Sequence, residues 1–225
     1  MAVYDLEEQE QLAEMKAWWR LHGNRVTSVL LVAALAALGW QGWNWYQNKQ
    51  TAQASYVFTV LEKSLEERNG QQIKAAGGEL LEKFGGTAYA PLGALMMAKA
   101  AVEEGDLKTA KLQLNWVVDH GKGEIQDIAR LRLAALLLDD KAADQAMRLL
   151  ETKPSPAFAA RYADARGDAL LAQGKQGEAK AAYKEALAAL DGADKANKEQ
   201  GGQEARMNAP YKQILQQKID SLGDA

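Results

Sequence analysis

The chain has 225 residues, a net charge of -3 and a pI of 5.6. That balance offers no basic surface for nucleic acid. With no cysteine, a disulfide scaffold, thiol chemistry and thiolate metal sites are excluded, and the length suits one domain or a short repeat array beside an anchor.

Residues 1–25 read as an N-terminal tail. Leu6, Leu12, Met15, Trp18 and Trp19 fall roughly at helical spacing, which fits either a short amphipathic helix on the inner membrane face or a partly disordered cytoplasmic tail. Gly23-Asn24 is the expected break. Residues 26–48 contain no charge between Arg25 and Lys49. At 1.5 Å per residue, a little over twenty residues cross the roughly 30 Å hydrocarbon core of a bilayer. Trp40, Trp43, Trp45 and Tyr46 close this stretch with rings that favour the headgroup level. Lys16, Arg20 and Arg25 precede it and only Lys49 follows closely, which predicts a cytoplasmic N-terminus and an exported, periplasmic C-terminal part. A cleaved signal peptide is the competing reading, because Ala34-Leu35-Ala36 resembles a cleavage site. Cleavage there would leave an apolar, Trp-rich new terminus. Ala33, Ala36 and Ala37 form a small-residue face that could pack against another membrane helix.

From 49 to 190 the chain reads as paired helices. Segments starting at Gly70, Gly105, Lys141 and Gly174 align at spacings of 35, 36 and 33 residues, close to the 34 or so of a tetratricopeptide repeat. The glycine would end each first helix with φ > 0. A small residue five positions later (Ala75, Ala110, Ala146, Ala179) would let the second helix pack closely. Another falls seven positions before the turn, at Ala98, Ala134 and Gly167. Lys141 replaces the glycine in the third repeat, and Lys63 replaces the small residue in the first. Residues 191–208 are polar and read as a flexible loop, and 209–225 as a helix capping the last repeat, with Pro210 in its first turn. The predicted class is all-α: a single N-terminal transmembrane helix, then a tetratricopeptide-like solenoid of about four helix pairs with a C-terminal cap.

No catalytic constellation is legible. The two histidines, His22 and His120, are far apart in sequence. Gly121-Lys122-Gly123 lacks both the further glycine of a dinucleotide fingerprint and the G-K-[ST] of a P-loop. The chain is therefore expected to be no enzyme and to need no cofactor or metal. What a repeat array offers is a concave surface for protein. In this register its lining would include Val57, Val60 and Ser64, then Leu92, Leu95, Lys99 and Val102. Ile128, Leu131, Ala135 and Leu138 follow, then Tyr162, Asp168 and Leu171. That lining is mostly apolar, with Lys99 its one clear base, and it suits a partner's helix or an incompletely folded chain. The same residues could instead be core between repeats.

The order of features is also familiar: an acidic tail from Tyr4, the Trp18-Trp19 pair, Gly23, an anchor ending Leu38-Gly39-Trp40-Gln41-Gly42-Trp43, then repeats. It resembles the YfgM-type ancillary subunits of the bacterial Sec translocon over nearly the full length. The resemblance implies a single-pass inner-membrane protein with periplasmic repeats. Its implied partners are the SecYEG channel, a membrane-anchored periplasmic chaperone resembling a prolyl isomerase, and emerging client proteins handed to periplasmic chaperones. An assembly factor for another envelope complex, such as cytochrome maturation or cell-wall machinery, is the alternative.

Overall fold

A computed structural model describes residues 2–197 and 203–223. The chain divides into two units, Met1–Gln53 and Ala54–Ala225, and among the described residues it contains helices and no strand.

The first unit is the greater part of α1 (Ala2–Glu66). The expected break at Gly23-Asn24 is absent. Gly23 is covered by the Trp19 indole, and the hydroxyls of Thr27 and Ser28 donate to the Gly23 and Asn24 carbonyls at 2.7 and 2.8 Å. One glycine costs a helix only about 1 kcal/mol, too little to stop so long a run of good helix formers. The apolar stretch has a mean hydropathy of 1.5 and none of its residues is buried. Leu30, Leu35 and Leu38 are each at least 60% exposed, and Trp40 is 74% exposed. A helix this long and apolar can cross a membrane. Its far end is marked by the Lys49 ammonium 5.4 Å from the Trp45 ring centre, an amphipathic pairing suited to a membrane–water boundary.

The second unit opens with the last turns of α1. It continues through α2 (Gly70–Phe84), α3 (Tyr89–Glu103), α4 (Leu107–His120), α5 (Glu124–Asp139) and α6 (Ala143–Leu150). After a 3-10 turn at Pro156–Phe158 come α7 (Ala159–Ala172), α8 (Gln176–Asn197) and α9 (Gln203–Ser221). Four turns between paired helices share one geometry. In each, the N–H three residues past the helix end donates to the carbonyl five residues back: Asn69 to Ser64, Asp106 to Ala101, Ala142 to Leu137 and Lys175 to Leu170, all at 2.8 or 2.9 Å. This closure needs the preceding residue in the left-handed region. Gly105 (φ 78°) and Gly174 (φ 77°) fill it as expected. Lys141 adopts it too, at φ 60°. In the first repeat the residue is Arg68 (φ 54°) rather than Gly70, so the first repeat is displaced by two positions from the sequence alignment. That explains why Ala75 is exposed while Ala110, Ala146 and Ala179 are fully buried. It also frees Lys63, which points to solvent and pairs with Glu67 at 3.7 Å; the buried residue is Leu61.

A left-handed conformation costs an L side chain roughly 1–2 kcal/mol. Lys141→Gly therefore raises the unfolding free energy by about 1 kcal/mol, once the greater freedom of glycine in the unfolded chain is subtracted. A denaturant titration comparing the two proteins reads this directly.

Within each pair, small and large residues interlock. Ala98 faces Leu114 across the second repeat, Ala134 and Leu150 share a cluster in the third, and Gly167 meets Tyr183 in the fourth. The polar segment 191–208, expected to be a loop, is helical over most of its length: α8 runs to Asn197 and α9 begins at Gln203, while 198–202 lie outside the described residues. Lys212 bridges Asp191 and Asp194 at 2.6 and 2.5 Å, and Asn208 donates to Asp194 at 2.8 Å. These links hold the two helices side by side. Pro210 consequently sits inside α9, not in its first turn. Leu215 and Ile219 bury against Ala179, Tyr183, Ala186 and Leu190, which covers the open face of the last repeat.

Candidate interaction surface

Consecutive first helices touch, α3 with α5 and α5 with α7, while the second helices make no comparable contact with one another. The first helices therefore line the inner side of the array. Buried polar struts set their spacing. Asp127 on α5, 3% exposed, accepts the Tyr162 hydroxyl of α7 at 2.9 Å and the Ser155 N–H at 2.9 Å, with Arg130 at 3.6 Å. Burial alone would raise the Asp127 pKa, but the hydrogen bonds from Ser155 and Tyr162 and the charge of Arg130 outweigh it and hold the carboxyl below its ordinary range. Burial and Asp127 together push Tyr162 up to about 12.

A second cluster ties α9 back to α7. Tyr211 donates to Asp164 (2.8 Å) and Tyr183 to Asp168 (2.7 Å); Lys218 reaches both carboxylates at 2.7 and 2.6 Å. Burial pulls the Lys218 pKa down, yet the two carboxylates prevail and raise it. Tyr183 and Tyr211 are pushed well above the ordinary phenol range by burial and the same acids. These titratable groups are engaged with one another as helix-to-helix braces. Among the described residues no three His, Asp or Glu side chains group as a metal site would require.

The expected lining divides in two. Leu92, Lys99, Val102, Ala135 and Leu171 are exposed, with Leu92 39% and Leu171 40% open. Val60 is 36% exposed, Val57 and Asp168 are half-buried, and so are Ile128, Leu131 and Leu138, which pack partly against the core. Leu95 (7%), Tyr162 (1%) and Ser64 (1%) are core and not surface. The correction has a simple cause. Each first helix shows only a narrow strip to the inside: Leu95 belongs to the buried cluster shared by the helices from α1 to α5, and Tyr162 packs in a cluster with Ala134 of α5 and Ala146 and Leu150 of α6. The Ser64 hydroxyl is spent on the Val60 carbonyl at 2.7 Å.

Two hollows open on this side. One, of about 330 Å³, lies between α3 and α5 and brings together Lys99, Val102, Arg132 and Ala135. The other, of about 550 Å³, lies between α5, α7 and α9; Leu131, Arg161, Tyr211, Met207 and Ile214 line it. Sequence reading missed Arg132, one residue off the assumed strip, and the contribution of α9. The spacing of Met207, Pro210, Tyr211 and Ile214, which suits one helical face, carried that second signal. In the first unit, Ala33, Ala36 and Ala37 are all exposed.

The tetratricopeptide repeat-like domain family matches residues 16–224. An ancillary SecYEG translocon subunit of Neisseria gonorrhoeae is 30% identical, over 96% of this chain and 98% of that protein. The chain belongs to this family. Proteins of the same description from Haemophilus influenzae (29% identical, 82% of this chain, 90% of the relative) and Escherichia coli (28%, 81% and 88%) align with it as well. No solved structure matches it with significance. Membership of the family agrees with the four left-handed turns and with the one long apolar helix found among the described residues, and it indicates a protein-interaction role rather than catalysis.

Proposed function

We propose that the protein is a non-enzymatic subunit of the bacterial inner membrane that associates with the SecYEG translocon. Its inner helical face holds apolar segments of emerging proteins and helps pass them to periplasmic chaperones, a membrane-anchored prolyl-isomerase-like protein among them. The association is supported by the names that the relatives carry. The binding face is supported by one observation. Among the described residues of the second unit, the exposed large apolar side chains are Tyr56, Val60, Leu92, Val102, Leu171, Met207 and Ile214 on first helices or α9, and Leu112 alone on a second helix. Exposed apolar surface gathered on one side marks an interaction site. The groove consists of Leu92, Lys99, Leu171 and the open edges of Ile128, Leu131 and Leu138. The Ala33, Ala36 and Ala37 face is proposed to contact a neighbouring membrane helix.

In full-length protein, Leu92→Asp with Val102→Asp should reduce recovery of cross-linked nascent chain at least fivefold while helicity and thermal midpoint stay unchanged, because both side chains already face solvent. Unchanged recovery refutes the binding face. The N-in orientation predicts that, of single cysteines placed at Lys16 and Gln216, only the second reacts with an impermeant maleimide applied to spheroplasts.

A further inference from the structure

We infer that the hollow between α3 and α5 is a side-chain slot for an apolar residue flanked by carboxylates, so the inner face prefers acidic-apolar segments over basic-apolar ones. This inference rests on the binding-face reading above and assigns that face a chemistry. The slot's base is apolar: Ala98 and Leu114 are each 2% exposed and Leu136 is 9% exposed. Val102, 43% exposed, stands open on the α3 wall, and Ala135 on α5 is exposed and too short to fill the space. The volume of about 330 Å³ admits a leucine-sized side chain with room to spare.

The lip supplies the charge preference. Three charged residues line the slot, Lys99, Glu103 and Arg132, a net charge of +1. Lys99 and Glu103 pair at 3.7 Å, with side chains 72% and 65% exposed, and so loose a surface pair is cheaply exchanged. Arg132 is exposed and, among the described residues, has no carboxylate partner, unlike Arg130 and Arg166. A guanidinium at the edge of an apolar slot holds a carboxylate through two parallel N–H donors. A lysine on the ligand would meet like charge at both Lys99 and Arg132 instead.

The test uses the full-length protein in phosphatidylcholine nanodiscs, with fluorescence anisotropy of three labelled, end-blocked peptides. These are Ser-Glu-Leu-Leu-Glu-Ser, its Lys-for-Glu counterpart, and its Ser-for-Leu counterpart. The expected result is saturable binding of the first, at least tenfold tighter than either control. Ala135→Trp, which fills the slot from an exposed position, should weaken that binding at least tenfold. Arg132→Glu should reverse the preference between the Glu and Lys peptides, while Arg148→Glu, the same charge change on α6, should leave it alone. Equal binding of all three peptides, no saturable binding, or indifference to both Ala135→Trp and Arg132→Glu overturns the inference. If Leu92→Asp weakens binding while the slot variants do not, the slot is wrong and the binding face stands; if none of the variants matters, both fall.

Discussion

Asp127→Ala lowers the unfolding free energy by about 3 kcal/mol, at the low end of the range for breaking a buried ion pair. The substitution removes at once the acceptor of two hydrogen bonds and the counter-charge of an arginine. Tyr162, 1% exposed, loses the partner of its hydroxyl; the Ser155 N–H at the entry to the 3-10 turn is orphaned; and Arg130, its side chain 13% exposed, is left as a nearly buried cation. Tyr162→Phe is the milder comparison, at about 1 kcal/mol, since Asp127 keeps its other two partners. The pH dependence has a definite sign. The folded carboxyl lies below the ordinary value of 3.8, so its contribution is fully present above about pH 4 and is lost as pH falls through the lower, folded value. Stability of the parent should therefore drop more steeply below pH 4 than that of Asp127→Ala. Urea titrations at pH 7 and at pH 3 measure both effects, and equal slopes would show that this strut is not a paired carboxylate.

Gly167→Ala costs about 2 kcal/mol although alanine is much the better helix former. A methyl at this position would lie 2.3 Å from Cε1 and 2.5 Å from Cδ1 of Tyr183, well inside van der Waals contact. The ring cannot yield easily, because it is 1% exposed and its hydroxyl is fixed on Asp168. Contacts this short put the cost at the upper end of the roughly 1–3 kcal/mol that overpacking brings, offset by roughly 1 kcal/mol of helix propensity. The molecule suggests the remedy. The second and third repeats place alanine and leucine here, as Ala98 with Leu114 and Ala134 with Leu150. In a Tyr183→Leu background the Gly167→Ala penalty should therefore nearly vanish, giving a coupling of at least about 1 kcal/mol in a double-mutant cycle. Additive effects would mean that the fourth repeat is not interlocked as its neighbours are.

These two sites also show how far the sequence could be read. Gly167, Gly174, Ala179 and Tyr183 were legible because a repeat leaves the same sizes at the same spacing wherever two helices must approach closely. The first repeat was misaligned by two residues for the complementary reason. Its left-handed turn is made by Arg68, with Asn69 capping α2, and no glycine marks it. The nearby Gly70 drew the alignment away. The strip lining the inner face was harder still. An amphipathic pattern separates buried from exposed positions, but in an array each first helix is covered on several sides, and Leu95 and Leu92 look alike in sequence. Only the packing of neighbours distinguishes them. The Asp127–Tyr162 strut joins residues 35 positions apart, and no local pattern announces it. The extension of α8 to Asn197 and the start of α9 at Gln203 were hidden by the glycines of the polar segment, while the ion pairs that hold the two helices required both to be in place.

The central claim is that this anchored repeat protein works at the translocon. The most direct measurement is a mild-detergent purification of the full-length protein from its own membranes, with quantitative mass spectrometry against an untagged control. The account predicts SecY, SecE and SecG enriched together, in amounts comparable with the bait. Enrichment of a different envelope complex, with Sec subunits at the control level, would contradict it.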